Sequence, residues 1–258
     1  MNRKAGLLFL AIGCLNCTAF SQQPEIEISC TSEIVEAYVD RPGDLYIQFI
    51  NEHFLKYSKE GKLLQQFKPK EAPTVFEPRD GSRAFTYYQK RNLAGFSSFG
   101  TEPSTPLSEE FAIEPGLACS SGDLGMWVLD QADNSLKRIN LSQYKVEIEF
   151  QLPAELKGTI RQMREYQGYL FLLGGQTRLF VFSGMGKLLK SFEGKEIRFF
   201  NFIGEELYYN DMDALRFYDL FDGTQRQEQA EPGARFILLT DEARFVVYRD
   251  KVAIFRIN

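Results

Sequence analysis

The sequence reads FLKYSKEGKLLQQF at residues 54–67 and LFVFSGMGKLLKSF at residues 179–192. Each stretch opens on an apolar–aromatic run, turns through Ser-x-x-Gly-Lys and leaves on Leu-Leu-x-x-Phe. Two β-rich runs joined by a short glycine turn make a hairpin. Two such similar hairpins in one chain point to a repeat. The aromatic four residues before each glycine, Tyr57 and Phe182, serves as a marker for further copies.

Comparable strands are NLAGFSSFG with Phe96, SLKRINLSQ with Ile139, ALRFYDLFDG with Tyr218 and KVAIFRIN with Phe255. The markers at 57, 96, 139, 182, 218 and 255 are spaced by 39, 43, 43, 36 and 37 residues. Units of this length with short strands every 8–12 residues are the signature of four-stranded propeller blades. Two earlier strands precede each marker. The inner ones read IVEAYVD, APTVFEP, LACSSG, IRQMREY, IRFFNFIG and ARFILLTD. The second ones read DLYIQFI, RAFTYYQ, GMWVLDQ, GYLFLLGG, EELYYND and ARFVVYRD. The last unit stops after its third strand, while Pro24–Cys30 at the other end alternates without a repeat of its own. The sequence therefore predicts an all-β, six-bladed β-propeller of four-stranded antiparallel blades. Its N-terminal strand, Glu25–Ser29, is expected to pair with Val252–Ile257 and complete the last blade, which removes an exposed edge.

YSKEGKLLQQF and VFSGMGKLLKSF, together with the period, resemble the blades of six-bladed propellers of the broad NHL-like and TolB-like type in a bacterial exported form. The resemblance covers residues 24–258 and implies the fold; it does not imply one activity. The WD dipeptide of seven-bladed relatives is absent, and the only tryptophan, Trp127, falls in a strand.

The N-terminus is organised for export. Asn2-Arg3-Lys4 is followed by the apolar run Ala5–Ile12 and by Ala19-Phe20-Ser21, a small-x-small cleavage pattern. Residues 1–21 are thus expected to be a signal peptide and residues 22–258 a single propeller domain in the periplasm or cell envelope. The alternative is a lipid tether at Cys14, since Ala11-Ile12-Gly13-Cys14 approaches a lipobox. No stretch is long enough to span a bilayer. Net charge is −5 with acids and bases interspersed, which excludes a basic nucleic-acid surface. The mature chain keeps Cys30 and Cys119, which the blade assignment puts in different repeats; two buried thiols are expected, with a disulfide in an oxidising compartment as the alternative.

Catalytic signatures are missing. The single histidine, His53, rules out a multi-histidine zinc site, and CxxC occurs only as Cys14–Cys17 in the leader. Asp130 with Asp133 and Asp211 with Asp213 form acidic turns that lack calcium-loop spacing, so no metal or cofactor is expected. The expected use is non-enzymatic recognition of a protein or envelope component, by a monomer or as part of a hetero-complex. The alternative is a hydrolase or lyase acting on a carbohydrate or lactone-like molecule, with carboxylates at the channel mouth. The turns between second and third strands differ most between units, so they are the candidate partner surface. They carry Glu52, His53, Lys90, Arg91, Asp130, Asp133, Arg178, Asp211, Asp213, Arg249 and Asp250.

Overall fold

The second strands decide the architecture because they are apolar on both faces. In Gly125–Asp130, Trp127 and Leu129 pack toward one neighbouring sheet and Met126 and Val128 toward the other. In Tyr169–Gly174, Leu170 and Leu172 divide from Phe171 and Leu173 in the same way. Side chains alternate across a strand, so a run without polar breaks requires a partner on each side. The chain meets that requirement with six sheets and six apolar clusters, one between each pair of neighbouring sheets around the ring.

The computed structural model describes residues 23–79, 81–103, 106–122, 124–175 and 177–257; the expected signal peptide and Cys14 lie outside the described residues. The inner strands are Ile34–Val39, Val75–Pro78, Pro115–Ser121, Ile160–Tyr166, Ile197–Ile203 and Phe236–Leu239. The second strands are Leu45–Phe49, Ala84–Tyr88, Gly125–Asp130, Tyr169–Gly174, Glu206–Asp211 and Ala243–Val247. Third strands run Phe54–Tyr57, Leu93–Ser97, Ser135–Asn140, Arg178–Ser183, Ala214–Asp219 and Lys251–Arg256, and all six sequence markers fall in them. Outer strands are Leu63–Phe67 in blade one, Lys145–Gln151 in blade three, Leu188–Glu193 in blade four and Gln225–Gln229 in blade five. Ile26–Ser29 is the outer strand of blade six, with Ile26 opposite Ile254 and Ser29 opposite Lys251.

Blade two differs. Its sheet has three strands among the described residues, and a single bridge between Leu93 and Pro106 stands where a fourth would lie. Pro103 and Pro106 cannot donate to a ladder. The segment instead sends Phe99 into the cluster shared with blade one, and Leu107 and Phe111 into the cluster shared with blade three.

The two hairpins match bond for bond. Ser58 N–H donates to Lys62 O and Ser183 N–H to Lys187 O, both at 2.8 Å. The Ser58 and Ser183 hydroxyls accept from the backbone two and four residues on. Gly61 and Gly186 sit at φ +76° and +82°, where a Cβ is strained. Each also presses on the outer strand of the preceding blade. A Cβ would meet Ile26 of blade six at 2.8 Å from Gly61, and Phe150 of blade three at 2.3 Å from Gly186. Gly168 has a similar φ of +77° but nothing within 4 Å. We therefore expect Gly168→Ala to cost about 1 kcal/mol and Gly186→Ala about 2–4 kcal/mol, strain plus overpacking. Equal losses in chemical denaturation would show that the blade-to-blade approach is not tight.

Candidate functional site

Two kinds of turn leave the blades on opposite faces. The second-to-third-strand turns meet the blade-to-blade crossings on the upper face, as in Ile34 N–H donating to Arg249 O at 2.7 Å and Cys30 N–H to Asp250 O at 2.8 Å. The inner-to-second and third-to-outer turns share the lower face. Between them runs the axis, lined by the inner strands around a cavity of about 220 Å³.

The sequence-derived surface residues all lie on the upper face, but they divide by role. Asp130 and Asp211, each the last residue of a second strand, are buried. Asp130 accepts from Ile113 N–H at 2.9 Å and Glu114 N–H at 3.0 Å, and pairs with Lys137 Nζ at 2.8 Å. Asp211 accepts from Lys195 N–H at 2.7 Å and Glu196 N–H at 3.1 Å, and pairs with Arg216 Nε at 3.0 Å. In both blades the carboxylate ties down the incoming crossing. Gly194 leaves room for this, because a Cβ there would lie 2.8 Å from Asp211 Oδ1. Arg91 is likewise engaged, with Glu71 at 2.9 Å, Glu102 at 2.8 Å and the Tyr88 ring beneath it. Asp133 accepts from Ser135 N–H, Arg178 pairs with Glu193, and Arg249 pairs with Glu33. His53, Lys90, Asp213 and Asp250 are exposed, and Glu52 is half-buried in the left-handed conformation at φ 68°. His53 stands on the outer turn of blade one, away from the axis.

Cys30 and Cys119 are free thiols, and the alternative of a disulfide between them is not formed. Cys30 packs in the cluster between blades six and one, Cys119 in the one between blades three and four. Burial, helped by Asp250, pushes the Cys30 thiol up to about 11, and burial raises Cys119 well above its usual range. Both are therefore protonated and unreactive at neutral pH.

The axis carries chemistry that the sequence reading did not single out. Glu36 and Tyr38 project from blade one, Glu77 from blade two, and Arg161 and Arg164 from blade four. Glu36 is exposed to the channel yet walled in by the inner strands, and this confinement pushes its carboxyl up to about 7 against the pull of Arg161. Burial also raises Glu77, opposed by Arg164 and by the Ser120 backbone N–H, which donates to Oε2 at 3.0 Å. Inner-strand bulges between Ile34 and Glu36, Ile160 and Gln162, and Ile197 and Phe200 re-aim side chains at the upper mouth. The signal in the sequence was polar residues alternating within strands otherwise built for burial. Among the described residues no group of three or more His, Cys, Asp or Glu could hold a metal ion, and no helix is long and apolar enough to cross a membrane.

Large apolar side chains are also left in water, most densely on the lower rim. Leu124 and Tyr144 stand there in blade three, Tyr169 and Met185 in blade four and Phe221 in blade five. Phe221 is 89% exposed and Met185 77%. Some of the lower turns are linked within a blade or to the next one. Leu141 N–H donates to Leu124 O, the Tyr166 hydroxyl of blade four donates to Gly204 O of blade five, and Leu220 N–H donates to Glu205 O.

No family model and no curated protein matches the chain. Solved structures do. Virginiamycin B lyase from Staphylococcus aureus matches with a TM-score of 0.55 at 12% identity, over 86% of this chain and 80% of that one. A catalytically inactive histidine-to-alanine variant of that lyase, solved with quinupristin, matches at 0.58 and 11%, over 90% and 99%. The Pan2 WD40 domain of Neurospora crassa matches at 0.56 and 11%, over 84% and 73%. This chain is a β-propeller. At such identities the similarity establishes the fold alone.

The crossing ties are testable by acid. Burial alone would raise the Asp130 carboxyl, but Lys137 and the backbone donors outweigh it and hold it at about 2. Its folded value lies below the unfolded one, so its contribution of about 2 kcal/mol is present above pH ~4 and is lost as pH falls toward ~2. Asp130→Asn should cost about 2–4 kcal/mol at pH 7 and flatten the urea-midpoint profile between those values. A variant with an unchanged acid slope would remove Asp130 from this role.

Proposed function

We propose that this is an exported, non-enzymatic propeller of the bacterial envelope that binds a protein or surface component through the lower rim of blades three to five. The observation that carries the proposal is the run of exposed apolar side chains Leu124, Tyr144, Tyr169, Met185 and Phe221 on adjoining turns. Single apolar residues on a surface need no explanation, but several on one rim of three successive blades, at the tips of rigid turns, are a mark of a binding surface. Hairpin turns need none of these side chains for their own geometry. Export rests on the leader pattern Asn2–Ser21. The upper face is the competing surface. Its candidates His53, Lys90, Asp213 and Asp250 are exposed, as are Ile50 and Met212 in the same set of turns, while Arg91, Asp130 and Asp211 serve the fold.

The test is capture from envelope extract by the immobilised chain beginning at Gln22. A Met185→Glu/Phe221→Glu variant is expected to lose capture by about tenfold or more with an unchanged melting temperature, since both positions are exposed. An Arg178→Glu/Asp213→Lys/Arg249→Glu variant is expected to retain it. The reverse pattern moves the interface to the upper face, and no specific capture by the wild type removes the recognition reading.

A further inference from the structure

The channel charges are sorted by blade. Blades one and two bring the acids Glu36 and Glu77; blades four and five bring Arg161, Arg164 and Arg198. Blades three and six, which separate the two halves, bring Leu117, Phe236 and Leu238. In a ring of six, blade one stands across from blade four and blade two across from blade five. The acidic wall therefore faces the basic wall over the axis, with apolar walls between. The two sides sense each other without an ion pair joining them. Glu36 and Arg161 attract, and Tyr38 feels Glu36, Glu77 and Arg164. The arginines bond to their own side of the ring: Arg161 donates to Gly175 O and Ile197 O, Arg164 to Asn201 Oδ1, and Arg198 to Glu196.

Glu77 is 8% exposed; its Oε2 accepts from Ser120, while Oε1 is fully enclosed and has no hydrogen-bond partner. That enclosed carboxylate acts on the channel through its charge, while Glu36 is the acid exposed to it. The cavity, about 220 Å³, is smaller than a drug-sized pocket. We propose that the axial channel binds a small zwitterion of the amino-acid class. Its ammonium would lie against Glu36, with the Glu77 charge behind it, its carboxylate would meet Arg164 over the axis, and its carbon skeleton would rest on Leu117 and Leu238. A neutral sugar would leave both charged walls uncompensated, and a plain amine or carboxylate would match only one.

The same geometry sets a pH dependence. The titratable groups lining the site are Glu36 and Tyr38 on the inner strand of blade one, Glu77 on blade two, Arg161 and Arg164 on blade four and Arg198 on blade five; Arg79 acts on Glu77 and Glu196 on Arg161 from its margin. The lining residues of blades three and six are apolar. Burial holds Tyr38 neutral, and the arginines stay cationic. An ammonium favours ionised Glu36 and Glu77, so binding releases protons and tightens as pH rises from about 6 to about 8.

The experiment is calorimetric titration of the chain beginning at Gln22 with L-leucine and with 6-aminohexanoate, which span the amine–carboxylate separation. The controls are hexylamine, hexanoate and glucose. The proposal expects saturable binding of at least one zwitterion, about tenfold or more tighter than any control and accompanied by proton release. Binding should weaken about tenfold or more in Glu77→Gln, Arg164→Gln and Glu36→Gln, with the melting temperature unchanged in Glu36→Gln. Glu36→Gln guards against misfolding, because Glu36 is exposed on the channel wall. No binding of either zwitterion at about 10 mM, a control binding as tightly, or full binding by Glu36→Gln would overturn it. Partner capture at the lower rim is read separately, so the two proposals fail independently.

Discussion

The face-to-face packing of neighbouring blades is the constraint on which the rest of the molecule depends. Each blade is apolar on both sides, so a blade at an open end would leave a whole sheet face in water. Six interblade clusters leave no such end. The cluster between blades six and one is the one that joins the termini. It contains Ile28 from the N-terminal strand beside Val252 and Ile254 from the last strand, and Ile34 and Leu45 from the first blade. Arginine pins repeat the logic at the upper mouth. Arg161 of blade four donates to Ile197 O of blade five, and Arg235 of blade six donates to Ile34 O of blade one. The same inner-strand position thus makes the same bond to the next blade, across the junction of the termini as well as within the chain.

This packing leaves two regions free to vary. The sheet faces and the strands between them are committed to neighbouring blades, so substitutions there are felt as cavities or overpacking. Turn tips carry no such duty, and neither do inner-strand side chains that point to the axis. Phe221 and Met185 occupy the first kind of position, Glu36 and Arg164 the second. Recognition by the rim and binding in the channel are therefore compatible with one rigid scaffold.

Much of the scaffold was legible because period and alternation are local properties. The third-strand markers from Tyr57 to Phe255 fall where the spacing places them, and the duplicated hairpins share their hydrogen bonds. Blade two escaped the pattern. Pro103 and Pro106 break its ladder, and the compensating contacts of Phe99 and Phe111 are long-range. Site residues were less legible. Asp130 and Asp211 look like turn residues in sequence, and their burial depends on crossings that arrive from the preceding blade; a basic residue in the next strand, Lys137 or Arg216, was the available hint. Cys30 and Cys119 lie in different interblade clusters, a separation that follows from ring position. The opposition of Glu36 and Glu77 to Arg161 and Arg164 becomes visible only once blades one and two are placed across the axis from blades four and five.

Ring closure is tested most directly by native-state hydrogen exchange on the chain beginning at Gln22, read at the amides of Ile26–Ser29. Cooperative closure through the last blade requires these amides to exchange with protection close to that of Val252–Ile254, near the global unfolding free energy. Exchange of residues 26–29 at the rate of a frayed terminus, with Val252–Ile254 still protected, would contradict it: the ring would then close without its N-terminal strand.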